Sequence, residues 1–88
     1  MAARTYYAVL TREIHRDGVT FRAGHVVMTR KRENIEGLVD VWSAPIQRGA
    51  LFKVALTAHQ CRELFTAPTL DLDSAMEASF MVSESVYC

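Results

Sequence analysis

The stretch that decides the fold is residues 51–65, which read LFKVALTAHQCRELF. In residues 51–56 apolar side chains alternate with polar or small ones, a period of two that is typical of a β-strand with one buried face. The period changes at Thr57, because this hydroxyl residue and Gln60 three positions later have the spacing of a capping box. The stretch therefore predicts a strand that is followed at once by a helix over 58–65.

Four further strands are predicted on the N-terminal side of this stretch. The clearest signal is Asp17-Gly18, because these two residues supply the positive φ angles of a tight hairpin turn. β-Branched and aromatic residues around this turn, and alternating apolar positions beyond it, favour strands at 6–14, 19–22, 25–31 and 38–43. Five short strands joined by short turns predict a small antiparallel β-meander, and the added helical spacing makes the fold class α+β.

Two arrangements of these strands fit the pattern. The meander either curls into a partly closed SH3-like or OB-like barrel capped by the helix, or forms an open sheet with the helix packed on one face. The chain has 88 residues, which is room for one domain, taken here as residues 1–88. A core this small favours oligomerisation as a supplement, and we expect a homodimer.

Residues 70–88 form an acidic C-terminal segment without Lys or Arg. Ser74 and Glu77 repeat the capping-box spacing, and Leu72, Met76 and Phe80 recur every four positions. The segment is therefore predicted to be a second short helix, or a tail that becomes ordered on a partner.

The net charge of zero conceals an asymmetry between the two ends of the chain. Residues 1–32 carry seven basic and two acidic groups, a balance of +5, whereas residues 63–88 carry five acidic groups and no basic one, a balance of −5. Such a division is a reason to consider polyanion binding. The alternative is that the two ends pack together and neutralise each other.

The cysteine content and the N-terminus point to a cytoplasmic protein. The two cysteines, Cys61 and Cys88, are too few for a disulfide framework and are interpreted as reduced thiols. The apolar run after Arg4 is too short for a signal peptide or a membrane helix, so no membrane association is expected.

No arrangement of residues in the sequence is typical of an enzyme, a metal site or a cofactor site. His59 and Cys61 lie two positions apart on a predicted helix and would point in opposite directions, so they cannot jointly hold a metal ion. A nucleophile with its base would have to be assembled from distant positions, and the isolated glycines do not form a phosphate-binding loop. We expect no catalytic residues, no metal and no cofactor.

Nucleic-acid binding is the alternative function. Phosphate contacts need cations on one exposed face, and a hairpin at Asp17-Gly18 would gather several arginines along one stripe. A sequence pI near 6.8 lacks the positive surplus of most dedicated nucleic-acid domains. The residues that would make this contact are Arg12, Arg16, Arg22, Arg30, Lys31 and Arg32.

Protein binding is the function that the sequence favours. The chain is expected to be a small non-enzymatic binding module, namely an inhibitor, an adaptor or an accessory factor, in the manner of small phage proteins. Trp42 lies near a predicted strand end, where its ring either closes the core or anchors an interface. The residues expected to contact a protein partner are Trp42, Asp71, Asp73, Met76, Glu77 and Phe80.

Overall fold

The computed structural model describes residues 4–46 and 49–87 and confirms the α+β class. Strands come first in the chain and helices last, as the sequence predicts. The elements are β1 (Tyr6–Val9), β2 (Ile14–Arg16), β3 (Val19–Phe21), β4 (Val26–Lys31), β5 (Leu38–Ser43), β6 (Lys53–Thr57), α1 (Ala58–Leu64) and α2 (Leu72–Tyr87).

The main sheet has four antiparallel strands in the order β1-β4-β5-β6, and β2 and β3 form a separate hairpin. β5 is central and pairs Val27 with Ser43 on one side and Val39 with Leu56 on the other. The sheet is open, because β1 and β6 lie at opposite edges. Of the two predicted arrangements, the open sheet is therefore the one observed, with helices on both of its faces.

The predicted strand 6–14 is wrong as a single element, because the chain leaves the main sheet after Val9. Pairing with β4 ends where the Leu10 amide donates to the carbonyl of His25, and the next amide, of Thr11, donates to Leu64. Ala8, Val9 and Leu10 are all buried, because both faces of the sheet are covered at this point and residues 64–66 cover its edge. The described part of the chain thus contains six strands instead of five.

The hairpin turn at Asp17-Gly18 is confirmed. Asp17 has a φ of 53° and Gly18 a φ of 77°, the left-handed backbone that a two-residue turn between antiparallel strands requires. Arg16 pairs with Val19 across it. The hairpin folds over one face of the main sheet and buries Phe21 there.

Two hydrophobic clusters lie on opposite faces of the main sheet. The larger one contains the ring series Phe21, Phe52 and Phe65, whose neighbouring rings meet edge to face at centroid distances of 5.1 and 6.3 Å. Such aromatic pairs contribute about 0.5–1.5 kcal/mol each beyond the area they bury. The smaller cluster joins α2 to the sheet through Val9, Val26, Ala44 and Ala75.

The start of α1 follows the predicted capping box. The Gln60 amide donates to Thr57 Oγ1 at 3.2 Å, and the Thr57 amide donates to Gln60 Oε1 at 3.0 Å. α1 packs against the larger cluster with Cys61 and Leu64. Because Thr57 is also the last residue of β6, strand and helix are joined without a loop.

The predicted start of α2 is wrong, because the helix begins at Leu72 and Asp71 supplies the contacts of a cap. Asp71 Oδ1 accepts from the Asp73 amide at 3.2 Å, and Asp71 Oδ2 accepts from the Ser74 hydroxyl at 2.8 Å. Hydrogen bonds from Ser74 and from the Asp73 amide lower the pKa of Asp71, since they favour the charged carboxylate. At 16 residues α2 is also longer than the short helix expected.

The residues spaced four apart in α2 do not form its buried face. Leu72 is partly buried, whereas Met76 is 38% exposed and Phe80 69% exposed, and Ala75 is the buried residue. Each helical residue advances by about 100°, so a step of four overshoots a full turn by about 40°. The row therefore turns away from the sheet along the helix.

Candidate binding surfaces

The main sheet presents two different surfaces, which we name for what lies on them. The helix face is the side covered by α2 and includes Val9, Val26, Met28 and Trp42. The cleft face is the opposite side, which carries the larger hydrophobic cluster, the hairpin and α1. Side chains alternate between the two faces along each strand.

Trp42 lies on the helix face and belongs to neither hydrophobic cluster. It is partly buried, pairs with Met28 on β4 and Lys53 on β6, and borders a depression of about 190 Å³. Its ring is therefore outside both clusters, and its role as an interface anchor stays a prediction. The ring lies on the sheet surface, where a partner could contact it.

The half of the helix face around Trp42 is left uncovered by α2. Within the described residues α2 packs on β1 and β4 and not on β5 or β6. Beside Trp42, Arg32 holds Asp40 in a two-pronged ion pair, with Arg32 Nη2 2.9 Å and Arg32 Nε 3.0 Å from Asp40 Oδ1. This hydrogen bonding raises the pKa of Arg32, and the pair gives the uncovered half a fixed polar border.

Two exposed apolar side chains of α2, those of Met76 and Phe80, lie on the flank of the helix nearer to this uncovered half. α2 runs beside β1 in the same direction. It starts after Thr69, which pairs with Tyr7 in β1, and further along Ser79 Oγ donates to the carbonyl of Gly24, which lies next to Leu10 after the end of β1. The Tyr7 amide points to Thr69 on one side of β1. β4 pairs with the other side of β1, so β5 also lies on that side. With Ala75 facing the sheet, Met76 lies about 100° round the right-handed helix, on the side of β5. Phe80 lies about 140° round, so it leans to the same side but points mostly to solvent.

The predicted acidic residues lie along the same helix. Asp73 and Glu77 are exposed, and neither forms an ion pair with any residue that the structure describes. Asp71 differs from them, because its carboxylate caps the helix start. The helix face therefore combines a partly buried indole, two exposed apolar side chains and two free carboxylates.

The cleft face carries a cleft of about 850 Å³ that the sequence did not reveal. Its floor is formed by β1, β4 and β5, and its wall by α1 and residues 65–68. The residues that line it are Arg4, Tyr6, Ala8, Thr29, Lys31, Val39, Ala58, Cys61, Arg62, Phe65, Thr66, Ala67 and Pro68.

Three cations from separate parts of the chain meet at this cleft. Arg4 precedes β1, Lys31 ends β4 and Arg62 lies in the last turn of α1. All three are exposed, no carboxylate is among the lining residues, and none of the three has an ion-pair partner in the described part of the chain. The cleft is thus positively charged.

Burial raises the pKa of the Cys61 thiol, which also lines the cleft. Desolvation disfavours the thiolate and outweighs the attraction of Arg62. The thiol is therefore neutral near pH 7 and does not offset the positive charge of the three cations. Cys88 lies outside the described residues.

The structure distributes the six cations of the nucleic-acid hypothesis over several surfaces. Arg30 lies on the helix face and Lys31 on the cleft face, and Arg32 forms an ion pair with Asp40. Arg30 also donates to Thr5 Oγ1 at 2.7 Å. Of the remaining cations, Arg12 lies at the edge near Glu63, Arg16 in the hairpin and Arg22 at the base of the hairpin.

His59 and Cys61 are used separately. His59 Nε2 lies 3.1 Å from Glu63 Oε1 on the exposed side of α1, whereas Cys61 lines the cleft. Among the described residues, no three His, Cys, Asp or Glu side chains are grouped as metal ligands would be. Nor does the described part of the chain contain a helix with the length and apolar character needed to cross a membrane.

Comparison with known proteins adds no relative. No protein-family model, no curated protein and no solved structure matches this chain. The two surfaces are therefore interpreted from their own geometry.

Proposed function

We propose that this chain is a non-enzymatic protein-binding module of the cytoplasm whose partner contacts the helix face. The observation that carries the proposal is that Trp42 of β5 and Met76 and Phe80 of α2, which follow it by more than 30 positions in the sequence, are on one side of the sheet and partly or largely exposed. The free thiol of Cys61 suits a reducing compartment.

The energetic role of the helix face follows from its apolar side chains. Interfaces derive most of their affinity from a few buried aromatic anchors, each worth about 2 kcal/mol or more. Phe80 is 69% exposed, so a partner that covers it gains most of the transfer free energy of an aromatic ring. Met76 beside it supplies an unbranched side chain that adapts to the shape of a partner.

The charge of the helix face selects the partner. Asp73 and Glu77 border the apolar side chains and lack ion-pair partners within the described chain. Complementary charge at an interface gives specificity and speeds association. We therefore propose a protein partner whose contact surface places apolar side chains next to Lys or Arg.

A pair of matched substitutions on α2 tests this proposal. Phe80→Ser removes the anchor, whereas Met81→Ser removes a side chain of similar exposure, 67%, that lies about 100° further round the helix. After photo-crosslinking identifies the partner, affinity is measured with the purified pair. We expect Phe80→Ser and Trp42→Ala to weaken binding about tenfold or more, and Met81→Ser to leave it nearly unchanged.

The outcome against the proposal is equally definite. If Phe80→Ser and Trp42→Ala keep the circular-dichroism spectrum of the unmodified chain and also its affinity, the helix face is not the contact surface. Removal of residues 70–88 is unsuitable as a test, because α2 covers Val9, Val26 and Ala44 and its loss would expose a hydrophobic cluster.

We also propose that the chain forms a dimer through the outer edge of β6. In the described part of the chain β6 pairs only with β5. The Ser43 amide donates to the carbonyl of Phe52 at 2.9 Å, so by alternation the backbone groups of Lys53 and Ala55 point away from β5. Antiparallel pairing about Ala55 would place Lys53 opposite Thr57 of the second copy, which avoids a clash of like charges.

The nucleic-acid alternative stays a prediction with a test of its own. Binding through phosphates weakens steeply as salt rises, in proportion to the number of cations involved. If no single- or double-stranded nucleic acid binds even at low salt, the alternative is wrong.

A further inference from the structure

We propose that the cleft is a second binding site, which takes a small organic carboxylate with an apolar body. It lies on the opposite side of the sheet from the helix face, so it is separate from the proposed protein contact. The inference depends on three features of the cleft, which are its charge, its floor and its size.

The charge of the cleft favours an anionic ligand. The side chains of Arg4, Lys31 and Arg62 meet there without a carboxylate among the lining residues and without ion-pair partners in the described chain. Cations that converge in this way repel one another, and one bound anion relieves the repulsion for all three. A guanidinium also matches the planar shape of a carboxylate, with which it can form two parallel hydrogen bonds.

The floor of the cleft favours a ligand with an apolar part. Ala8, Val39 and Phe65 are buried at the base of the cleft, and Tyr6, Cys61 and Pro68 around them keep accessible apolar surface that completes its floor. Thr66 Oγ1 already accepts a hydrogen bond from the Val9 amide. A fully hydrated anion such as inorganic phosphate would leave this floor uncovered, whereas an aliphatic or aromatic chain would bury it.

The size of the cleft favours a small molecule. Its volume of about 850 Å³ falls within the range of about 300–1,000 Å³ that is usual for small-molecule pockets. The ligand class that satisfies charge, floor and size together is a monocarboxylate with a hydrocarbon chain or ring.

The test uses octanoate as the probe, with octanol and octylammonium as neutral and cationic matches of the same chain length. Binding is followed by calorimetry and by the rate at which Cys61 reacts with a thiol reagent. The second measurement uses a Cys88→Ser background, so that only Cys61 reacts. We expect octanoate to bind more tightly than either match and to slow the reaction of Cys61, because it covers the cleft.

Substitution of the cations localises the binding. Arg62→Gln and Lys31→Gln should each weaken the binding of octanoate several-fold. Both variants should keep the fold of the unmodified chain, since both side chains are exposed. The matched control is Arg16→Gln, an exposed cation on β2 that does not line the cleft. We expect this control to bind octanoate as the unmodified chain does.

Each contrary result overturns the inference in a recognisable way. If octanoate does not bind at millimolar concentration, or octanol binds as well, the cations do not recognise a carboxylate. If inorganic phosphate binds as tightly, the apolar floor plays no part. If Arg16→Gln weakens octanoate as much as Arg62→Gln does, the site lies elsewhere. None of these results bears on the helix face, which is tested by Phe80→Ser.

Discussion

At the scale of single residues, a chain of three hydrogen-bonding groups connects the sheet to the loop before β4. The Phe52 amide donates to Ser43 Oγ at 2.8 Å, and Ser43 Oγ lies 2.8 Å from His25 Nε2. Because Ser43 Oγ already accepts from the amide, its own hydrogen is available for an unprotonated Nε2. A protonated His25 can donate to the second lone pair of the same oxygen, so it is the burial of the ring that favours its neutral form.

This arrangement predicts a pH dependence of stability. Burial lowers the pKa of His25 in the folded chain below its value of about 6.5 in an unfolded one. As the pH falls below about 6.5, the unfolded chain binds a proton first. The free energy of unfolding should therefore decrease until the pH reaches the pKa of the folded state. Urea unfolding from about pH 7.5 to about pH 5 measures this decrease. A His25→Gln variant with the same slope would contradict the assignment.

The sequence pointed to the large apolar side chains of the helix face but not to the residues of the cleft. Trp42, Met76 and Phe80 stand out by size and type, and their contact with a partner stays a prediction. The cleft residues had no such signal, because Arg4, Lys31 and Arg62 come together only through the order of the strands. That order depends on long-range pairing, which local spacing does not encode.

At the scale of elements, the contact of α2 with the sheet depends on the absence of a side chain at Gly24. Gly24 has a φ of 97°, and a Cβ there would overlap Ser83 Oγ and lie 3.3 Å from the carbonyl oxygen of Ser79. Gly37 has a φ of 85° and open space around it, so it shares the backbone requirement without the contact. The two glycines thus separate backbone strain from helix packing.

We expect Gly24→Ala to lower the free energy of unfolding by about 1–3 kcal/mol more than Gly37→Ala does, because only the new Cβ at Gly24 meets α2, where it overlaps Ser83 Oγ and crowds the Ser79 carbonyl. Gly37→Ala should cost about 1–2 kcal/mol, for its left-handed backbone alone. Urea unfolding measures both. Adding Ser83→Ala to Gly24→Ala should recover part of the loss. Equal losses in the two single variants would mean that α2 does not pack closely at this point.

Elements with one decisive local pattern were predicted closely. β5 has the predicted bounds of 38 and 43, and α1 begins after the capping residue Thr57. The failures occurred where tertiary contacts override the local pattern. Leu10 is buried because residues 64–69 return to cover the edge of β1, and Asp71 starts α2 ahead of Ser74 because its carboxylate reaches the first turn.

At the scale of the whole molecule, the two ends of the charge asymmetry lie on different surfaces. Lys31 belongs to the basic N-terminal part and lines the cleft, whereas Asp73 and Glu77 of the acidic part lie on α2, across the sheet. Neither carboxylate pairs with a described cation. The carboxylates of α2 and the cations of the cleft therefore lie on opposite sides of the sheet, and each group is expected to attract a ligand of opposite charge.

The proposed dimer is tested at this scale with Ala55→Pro. Proline removes an amide that points away from β5, so the pairing of β6 within the sheet is preserved and only pairing with another copy is lost. We expect sedimentation velocity to show a dimer for the unmodified chain and a folded monomer for the variant. A strictly monomeric unmodified chain at micromolar concentration would refute self-association, and a dimeric variant would refute the β6 edge.

The return of residues 64–69 to the edge of β1 has a consequence for how the chain acquires its structure during synthesis. The Val9 amide donates to Thr66 Oγ1 across 57 positions, and Ser79 reaches Gly24 across 55. A nascent chain on the ribosome must therefore keep the outer edge of its first strand uncovered until residues 66–79 have emerged. Closure of such large loops is slow, so these contacts should form late in folding and limit its rate.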